Sequence, residues 1–220
     1  GKDISMGNSR RADVIIDKSY PENADIDNYR DFALYFQDED NIIGTSFMPY
    51  LQNVAGLTGV NYRLEPWIYR EDEGCELGNM FTACVVADGD PATPILKAHA
   101  GDRVMVNIFG AHNEQNQMFN MDGHQWRRHL NQEGSDMIDV QQFGGGEYIQ
   151  AFVNAGGTYS NPGTYLWLNA RTPYQQAGQW GYFKVLPAGE RSILPLGGAA
   201  PKAGKTAAKG VGDDVLSMNR

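Results

Sequence analysis

The sequence predicts an all-β domain, a sandwich or barrel of antiparallel strands. Three observations carry this. Short apolar runs recur along the chain, separated by turns rich in Gly, Pro, Asn and Asp. Little of the sequence repeats its hydrophobic residues at the 3.6-residue spacing of a helix. Glycine (26 residues), proline (10) and an aromatic content of 11% fit many short strands better than a helical bundle. A length of 220 residues suffices for one large domain or two small ones, and 41% hydrophobic residues is ordinary for a chain that buries a core.

In chain order, residues 1–29 are polar, with one short apolar run, Val14–Ile16, and read as an arm or a leading strand. The main domain is expected over 30–187. Phe32–Phe36 is its first buried strand, ended by the acidic run Asp38-Glu39-Asp40, which is expected to be a solvated loop. Residues 41–60 read as a long loop or short helix. In NYRLEPWIYR (61–70), Pro66 limits regular structure, and the aromatics suggest a segment packed over a sheet edge. From Ala87 the pattern sharpens. A turn at 88–91, an extended run over 94–98 and a tight turn at Ala100-Gly101-Asp102 lead into a strand over 103–109, where Val104, Val106 and Ile108 alternate onto one face. Further strands are expected over 117–121, 137–143, 147–153, 164–168 and 181–186, with Gly144-Gly145-Gly146 as a turn or bulge. After Pro187 the composition shifts to Ala, Gly and Lys, so 188–220 is expected to be a flexible tail or linker.

A net charge of −9, from 27 acidic and 18 basic residues, argues against nucleic acid or an anionic membrane as partner, because both need a basic surface. It is compatible with a cationic substrate or a basic partner. No apolar run approaches the roughly 20 residues of a membrane helix. The start, GKDISMGNSRRADVII, has no long apolar core of the signal-peptide kind, and Gly in place of an initiating Met suggests a processed or partial chain. The two cysteines, Cys75 and Cys84, form a disulfide or remain two buried thiols. A thiolate metal pair is disfavoured by the eight intervening residues and the lack of a nearby histidine.

Four segments occur in a telling order: DPATPILKAHAGDRVMVNIFG, QMFNMDGHQWRRH, SDMIDVQQFGGGEYIQAFVNAGG and NPGTYLWLNARTPYQQAGQWGYFKV. Together they resemble the plastocyanin-like (cupredoxin) domain that ends multicopper oxidases, the group of laccases, ceruloplasmin-like ferroxidases and bacterial manganese oxidases. NYRLEPWIYR is similar to a segment of the large bacterial members. The likeness is good over 87–187, thin over 30–86 and absent at both ends. It implies a cupredoxin-like Greek-key β-sandwich with an N-terminal extension and a C-terminal tail.

The same resemblance shows what is missing. GTYLWLNARTPYQQAGQWG lies without a gap on the family's last copper hairpin, GTWLYHCHxxxHxxxGMxG, and Gly163, Thr164, Leu166, Gly178 and Gly181 keep its frame. Where the family has His, Cys, His, His and Met, this chain has Leu168, Asn169, Ala170, Tyr174 and Gln179. In the second segment the family's ligand histidines fall at Gln117, Asn120 (often already Asn in the large bacterial group) and Asp122. His124 is kept, at a position that is usually not a ligand. A blue copper site needs a thiolate and two imidazoles, which these residues do not supply. The kept glycines are expected to hold turns, and Leu166, Trp167 and Trp180 to fill the core.

The resemblance therefore implies a degenerate cupredoxin domain with no catalytic residue or cofactor of its own. Its role would be structural or in assembly, in an oxidase that acts on metal ions or small reductants and carries copper in the parent or partner domains. Large members of the group alternate copper-bearing and copper-free domains. Partners would be other cupredoxin domains or subunits, in a homo- or hetero-oligomer, in an extracellular, periplasmic or cell-envelope setting. One alternative is an oligomeric oxidase with copper between chains. Another is a binding module whose platform is the aromatic set Trp67 and Tyr69.

The other constellations are weaker. His112, Asp122 and His124 form a candidate surface metal site, weighed against hydrogen-bonded imidazoles at each position. His124 and His129, five apart, are expected on opposite faces of a strand. The acidic run Glu71-Asp72-Glu73 reads as solvated loop, because neighbouring carboxylates on an extended chain diverge. The cluster Trp126-Arg127-Arg128-His129 is a candidate to pair with carboxylates.

Overall fold

The computed structural model describes residues 10–38, 58–61, 76–82, 91, 93–112 and 115–197. Twelve strands are found among them: β1 (Arg10–Val14), β2 (Tyr29–Asp38), β3 (Thr58–Val60), β4 (Leu96–His99), β5 (Arg103–His112), β6 (Gln117–Met121), β7 (Trp126–Arg127), β8 (Met137–Ile138), β9 (Val140–Phe143), β10 (Tyr148–Asn154), β11 (Gly163–Asn169) and β12 (Trp180–Leu186). One short helix, α1 (Thr172–Gln176), interrupts the last hairpin.

The strands form two five-stranded sheets and a small ribbon of β7 with β8. In the first sheet the order is β1-β2-β5-β10, with β3 also on β2. In the second it is β4-β12-β11-β6-β9. Inner faces of both sheets share one core, in which Phe32, Leu34, Phe36, Val104, Val106 and Ile108 of the first meet Phe119, Phe143, Trp167 and Phe183 of the second. Phe36 stands edge-on to Phe119, Phe143 and Trp167, so one ring locks the two layers together. The fold is the all-β, cupredoxin-like sandwich that the sequence predicts.

The pairing is not purely antiparallel, and this corrects the expectation. β2 runs parallel to β5, and β4 runs parallel to β12. Strands joined by long connections can meet in either direction, whereas tight hairpins enforce antiparallel pairing. The leading strand is β1, which starts four residues before the Val14–Ile16 run and shares only Val14 with it, paired antiparallel along β2. The expected strand over 137–143 is split. Met137–Ile138 pairs with β7 while Val140–Phe143 pairs with β6, and Asp139 stands between two different partners.

The glycines divide in role. Gly178, with φ +99°, holds the left-handed turn between α1 and β12, as expected of it. Gly181 holds no turn. It lies within β12, and a Cβ there would come within 2.4 Å of the Trp167 ring and 2.3 Å of the Pro94 carbonyl oxygen. Gly163 likewise opens β11 rather than turning.

Two expectations about solvent also change. Asp38, placed in a solvated acidic run, is fully buried. The register of β2 against β5 shifts between Phe36 and Gln37, which breaks the in–out alternation and turns Phe36, Gln37 and Asp38 all inward. Residues 188–197, assigned to the tail, pack on the domain. Ile193 is buried, Leu194 offers its carbonyl to Arg30, and Glu190 offers its carbonyl to His99. The Glu39-Asp40 and Glu71-Asp72-Glu73 runs, Trp67, Tyr69, Cys75, Cys84 and the region after 197 lie outside the described residues.

Candidate functional site: a hydrogen-bonded polar centre

Strand alternation sorts the eight positions at which the resemblance places ligands into two groups. On β6 and β11, Gln117, Phe119 and Asn169 face inward and are buried, and Phe119 and Asn169 are register partners. Asn120 and Leu168 are partners on the outer face, followed by Asp122 beyond the strand and Ala170 two residues after Leu168. The outer group thus holds an amide, a carboxylate and two alkyl groups.

The inner group converges. Tyr174, fully buried on α1, and Gln179, just before β12, join Gln117 and Asn169. The resemblance would place the family's thiolate, its thioether and two of its imidazoles here. Here they form a hydrogen-bonded centre. The Asn169 side-chain NH₂ donates to Oε1 of Gln179 at 2.7 Å and to Oε1 of Gln117. Asn169 Oδ1 accepts from the backbone N–H of Arg171 at 3.1 Å and of Met118 at 3.3 Å, which fixes the amide's orientation. Gln179 Nε2 donates to the Gln37 carbonyl at 2.6 Å. Gln117 Nε2 donates to Asp38 Oδ2 at 2.6 Å, and the Tyr174 hydroxyl reaches the same oxygen at 3.3 Å. The cluster therefore ties β2 of one sheet to β6, α1 and the β11–β12 hairpin of the other.

This donor set does not fit copper. A blue centre takes its character from a thiolate and two imidazoles, and the residues present are carboxamides, a phenol and one carboxylate. The amide donors and acceptors are already matched to one another, so the centre is closed. Sequence reasoning identified Gln117, Asn169, Tyr174 and Gln179 as substitutions, but missed Gln37 and Asp38, whose inward turn depends on a bulge with no local signal.

The candidate metal set His112, Asp122 and His124 is not brought together among the described side chains. The side chain of His112 lies outside them. His124 is 1% exposed, in the loop after β6 rather than on a strand, while His129 is exposed after β7. Both His124 ring nitrogens are engaged: Nδ1–H donates to the Asp122 carbonyl at 2.8 Å, and Nε2 accepts from the Gly156 N–H at 3.0 Å. Tyr165 and Phe183 enclose the ring. Trp126 is buried and donates to Gln141, and Arg127, Arg128 and His129 are exposed.

Burial pushes the His124 imidazole below its ordinary value, against weaker pulls from the Asp122 carbonyl and carboxylate. The folded chain therefore holds His124 neutral where the unfolded chain protonates, starting near pH 6.5. In that window the unfolded state binds more protons, so stability falls as pH drops. For one proton the slope is at most about 1.4 kcal/mol per pH unit. Burial raises Asp122, which acts with the opposite sign over a window that runs upward from its ordinary 3.8, so the His124→Gln comparison isolates the imidazole. Urea unfolding between about pH 7.5 and 5.5 checks this: the midpoint declines in the native chain and declines less in His124→Gln.

No protein-family profile matches the sequence, and no curated protein is matched by it. Among solved structures, a multicopper oxidase from Pediococcus acidilactici is similar at 8% identity and TM-score 0.47, over 74% of this chain and 27% of that one. The multicopper oxidase mgLAC is similar at 16% identity and TM-score 0.46, over 73% and 44%. A multicopper oxidase from Campylobacter jejuni, described as a metallo-oxidase, is similar at 12% identity and TM-score 0.44, over 70% and 29%. The chain thus spans less than half the length of these oxidases. No described helix is long and apolar enough to cross a membrane. With two sheets and two parallel pairs among its described strands, and a last hairpin interrupted by α1, the chain is a cupredoxin-like β-sandwich that resembles multicopper oxidase domains in fold.

Proposed function

We propose that this chain is a copper-free cupredoxin domain with a structural role, part of a larger multicopper-oxidase-like assembly acting on metal ions or small reductants outside the cytoplasm. The observation behind this reading is the closed polar centre. Gln117, Asn169, Tyr174 and Gln179 converge as ligands would, but they bond to each other and to β2. The outer group, Asn120, Asp122, Leu168 and Ala170, likewise offers no imidazole to a copper cluster shared with a neighbouring domain. Copper would sit in other domains or subunits, and this one would hold their geometry.

Metal analysis after incubation with Cu(I), reoxidation and dialysis tests the reading. The expected result is far less than one copper per chain and none of the thiolate-to-copper absorption that colours blue copper proteins. One tightly bound copper per chain with that absorption overturns it. The fourfold variant Gln117→His, Asn169→Cys, Tyr174→His, Gln179→Met is expected to gain both, because the backbone already brings the four positions together.

A further inference from the structure

A cleft of about 1040 Å³ opens between the segment entering β2, the 122–131 loop and the neighbouring ends of β5 and β10. Its lining mixes apolar and polar residues. Tyr29 and Phe152 meet edge to face at 5.8 Å, with Met105 across the strand from Phe152 and Leu130 also on the lining. Four carboxylates line it: Asp25, Asp27, Asp122 and Asp139. Among the described residues none of these four side chains has a hydrogen-bond or ion-pair partner. Asp13 and Asp102 are paired with Arg30, Asp31 with Asn107, and Asp38 with Gln117. Exposed carboxylates such as Glu22, Glu133 and Asp136 are open as these four are, but these four, exposed as well, face one concavity.

We propose that this cleft binds an amphipathic organic cation, an ammonium or guanidinium carried on an aromatic or alkyl body. The inference is independent of the proposed function. The aromatic and alkyl side chains of the lining take up the body, and the carboxylates fix the charged end. One face of the Phe152 ring is already covered by the Arg103 guanidinium at 4.2 Å, so the charged end of the ligand is held by the carboxylates. Arg103 and Arg127 are the two cations on the lining, against four carboxylates. Burial raises Asp122 above the usual carboxylate range, and a bound cation would relieve that cost. The overall charge of −9 favours the approach of a cation.

Amide NMR titration with 2-phenylethylamine tests the proposal. Three companion probes are its neutral analogue 2-phenylethanol, spermidine (a cation without a ring) and an acetylated Lys-Phe peptide. Shifts at 25–29, 122–125 and 152–154 are expected, with dissociation constants on the order of 1 mM for so small a ligand. The alcohol should bind at least about fivefold more weakly, and the double variant Asp27→Asn, Asp122→Asn should weaken the amine by about as much. Added salt should weaken the amine and not the alcohol, and spermidine should bind less well than the amine. Binding of the peptide as tight as that of the amine assigns the cation to a peptide side chain. Binding of the amine alone assigns it to a free small molecule. Equal affinity for amine and alcohol, shifts elsewhere on the domain, or full affinity in a folded double variant overturns the proposal. If the variant does not fold, the alcohol comparison and the salt titration on the native chain decide.

Discussion

Asn169→Ala is expected to lower stability by about 3 kcal/mol, the largest effect of any single truncation in the polar centre. The native amide donates to the side-chain carbonyls of Gln117 and Gln179 and accepts from two backbone N–H groups. Truncation leaves all four without that partner in a site closed to solvent. Each orphaned buried group costs roughly 1–3 kcal/mol, but the losses do not sum, because a water in the vacated space restores part of the bonding. At about 2–4 °C per kcal/mol for a domain of this size, the melting temperature should fall by about 6–12 °C.

The conservative variant makes the sharper test. Asn169→Asp keeps an acceptor for the backbone but turns an oxygen toward two carbonyl oxygens. Gln117 could flip to offer its NH₂, but would then present its carbonyl to Asp38, which it now serves as donor. Aspartate at this position is thus expected to be no better than alanine, and a wild-type melting temperature for Asn169→Asp would refute the bonding pattern. Apolar replacement of both partners, Asn169→Leu with Gln179→Met, should cost less than the two single changes added together, because no amide is then left facing its missing mate. Thermal and urea unfolding of the double variant beside its two single variants measures the coupling.

The centre also shows how far a sequence can be read. Strand β6 is found at the bounds its pattern predicts, β11 extends one residue beyond its bounds at each end and β12 one residue at its start, because each carries a clear alternation bounded by turn residues. The inner–outer sorting of Gln117, Asn120, Leu168 and Asn169 follows from that alternation. Gln37 and Asp38 were hidden because alternation sends one of them outward, and only pairing with β5, far along the chain, reveals the bulge. Asp139 breaks a strand that looks continuous, since local pattern does not say that its two halves pair with different neighbours. The Ala/Gly/Lys composition after Pro187 points to a tail, yet Glu190 and Leu194 are held through backbone carbonyls, which every residue has and composition cannot show.

The same limit conceals the second large effect, at Arg30. Nothing within a few residues of it suggests a buried guanidinium, yet its side chain is wholly inaccessible to solvent. Its partners are distant in sequence. Arg30 Nε donates to Asp102 Oδ2 at 2.6 Å, Nη1 to Asp13 Oδ1 at 3.1 Å, and Nη2 to the Leu194 carbonyl at 2.8 Å and to His99 Nδ1 at 3.2 Å. His99, accepting at Nδ1, donates from Nε2–H to the Glu190 carbonyl at 2.7 Å. One cation thus joins β1, β2, the β4–β5 turn and the 188–197 segment. Arg30→Met should cost about 3–5 kcal/mol, because it leaves Asp102 without its cation, Asp13 with Arg11 alone, and two further acceptors without donors. Arg30→Lys should recover less than half of that, since a single ammonium cannot span four acceptors in the fixed geometry of a guanidinium. The arrangement makes a second demand that general destabilisation does not. Residues 188–197 are held through Leu194 and, by way of His99, through Glu190, so in Arg30→Met they should lose protection from hydrogen exchange, and Arg191 should become a faster tryptic site, under conditions where β5 and β11 stay protected. If all three regions lose protection together, Arg30 stabilises the domain as a whole and does not specifically clasp its last described segment.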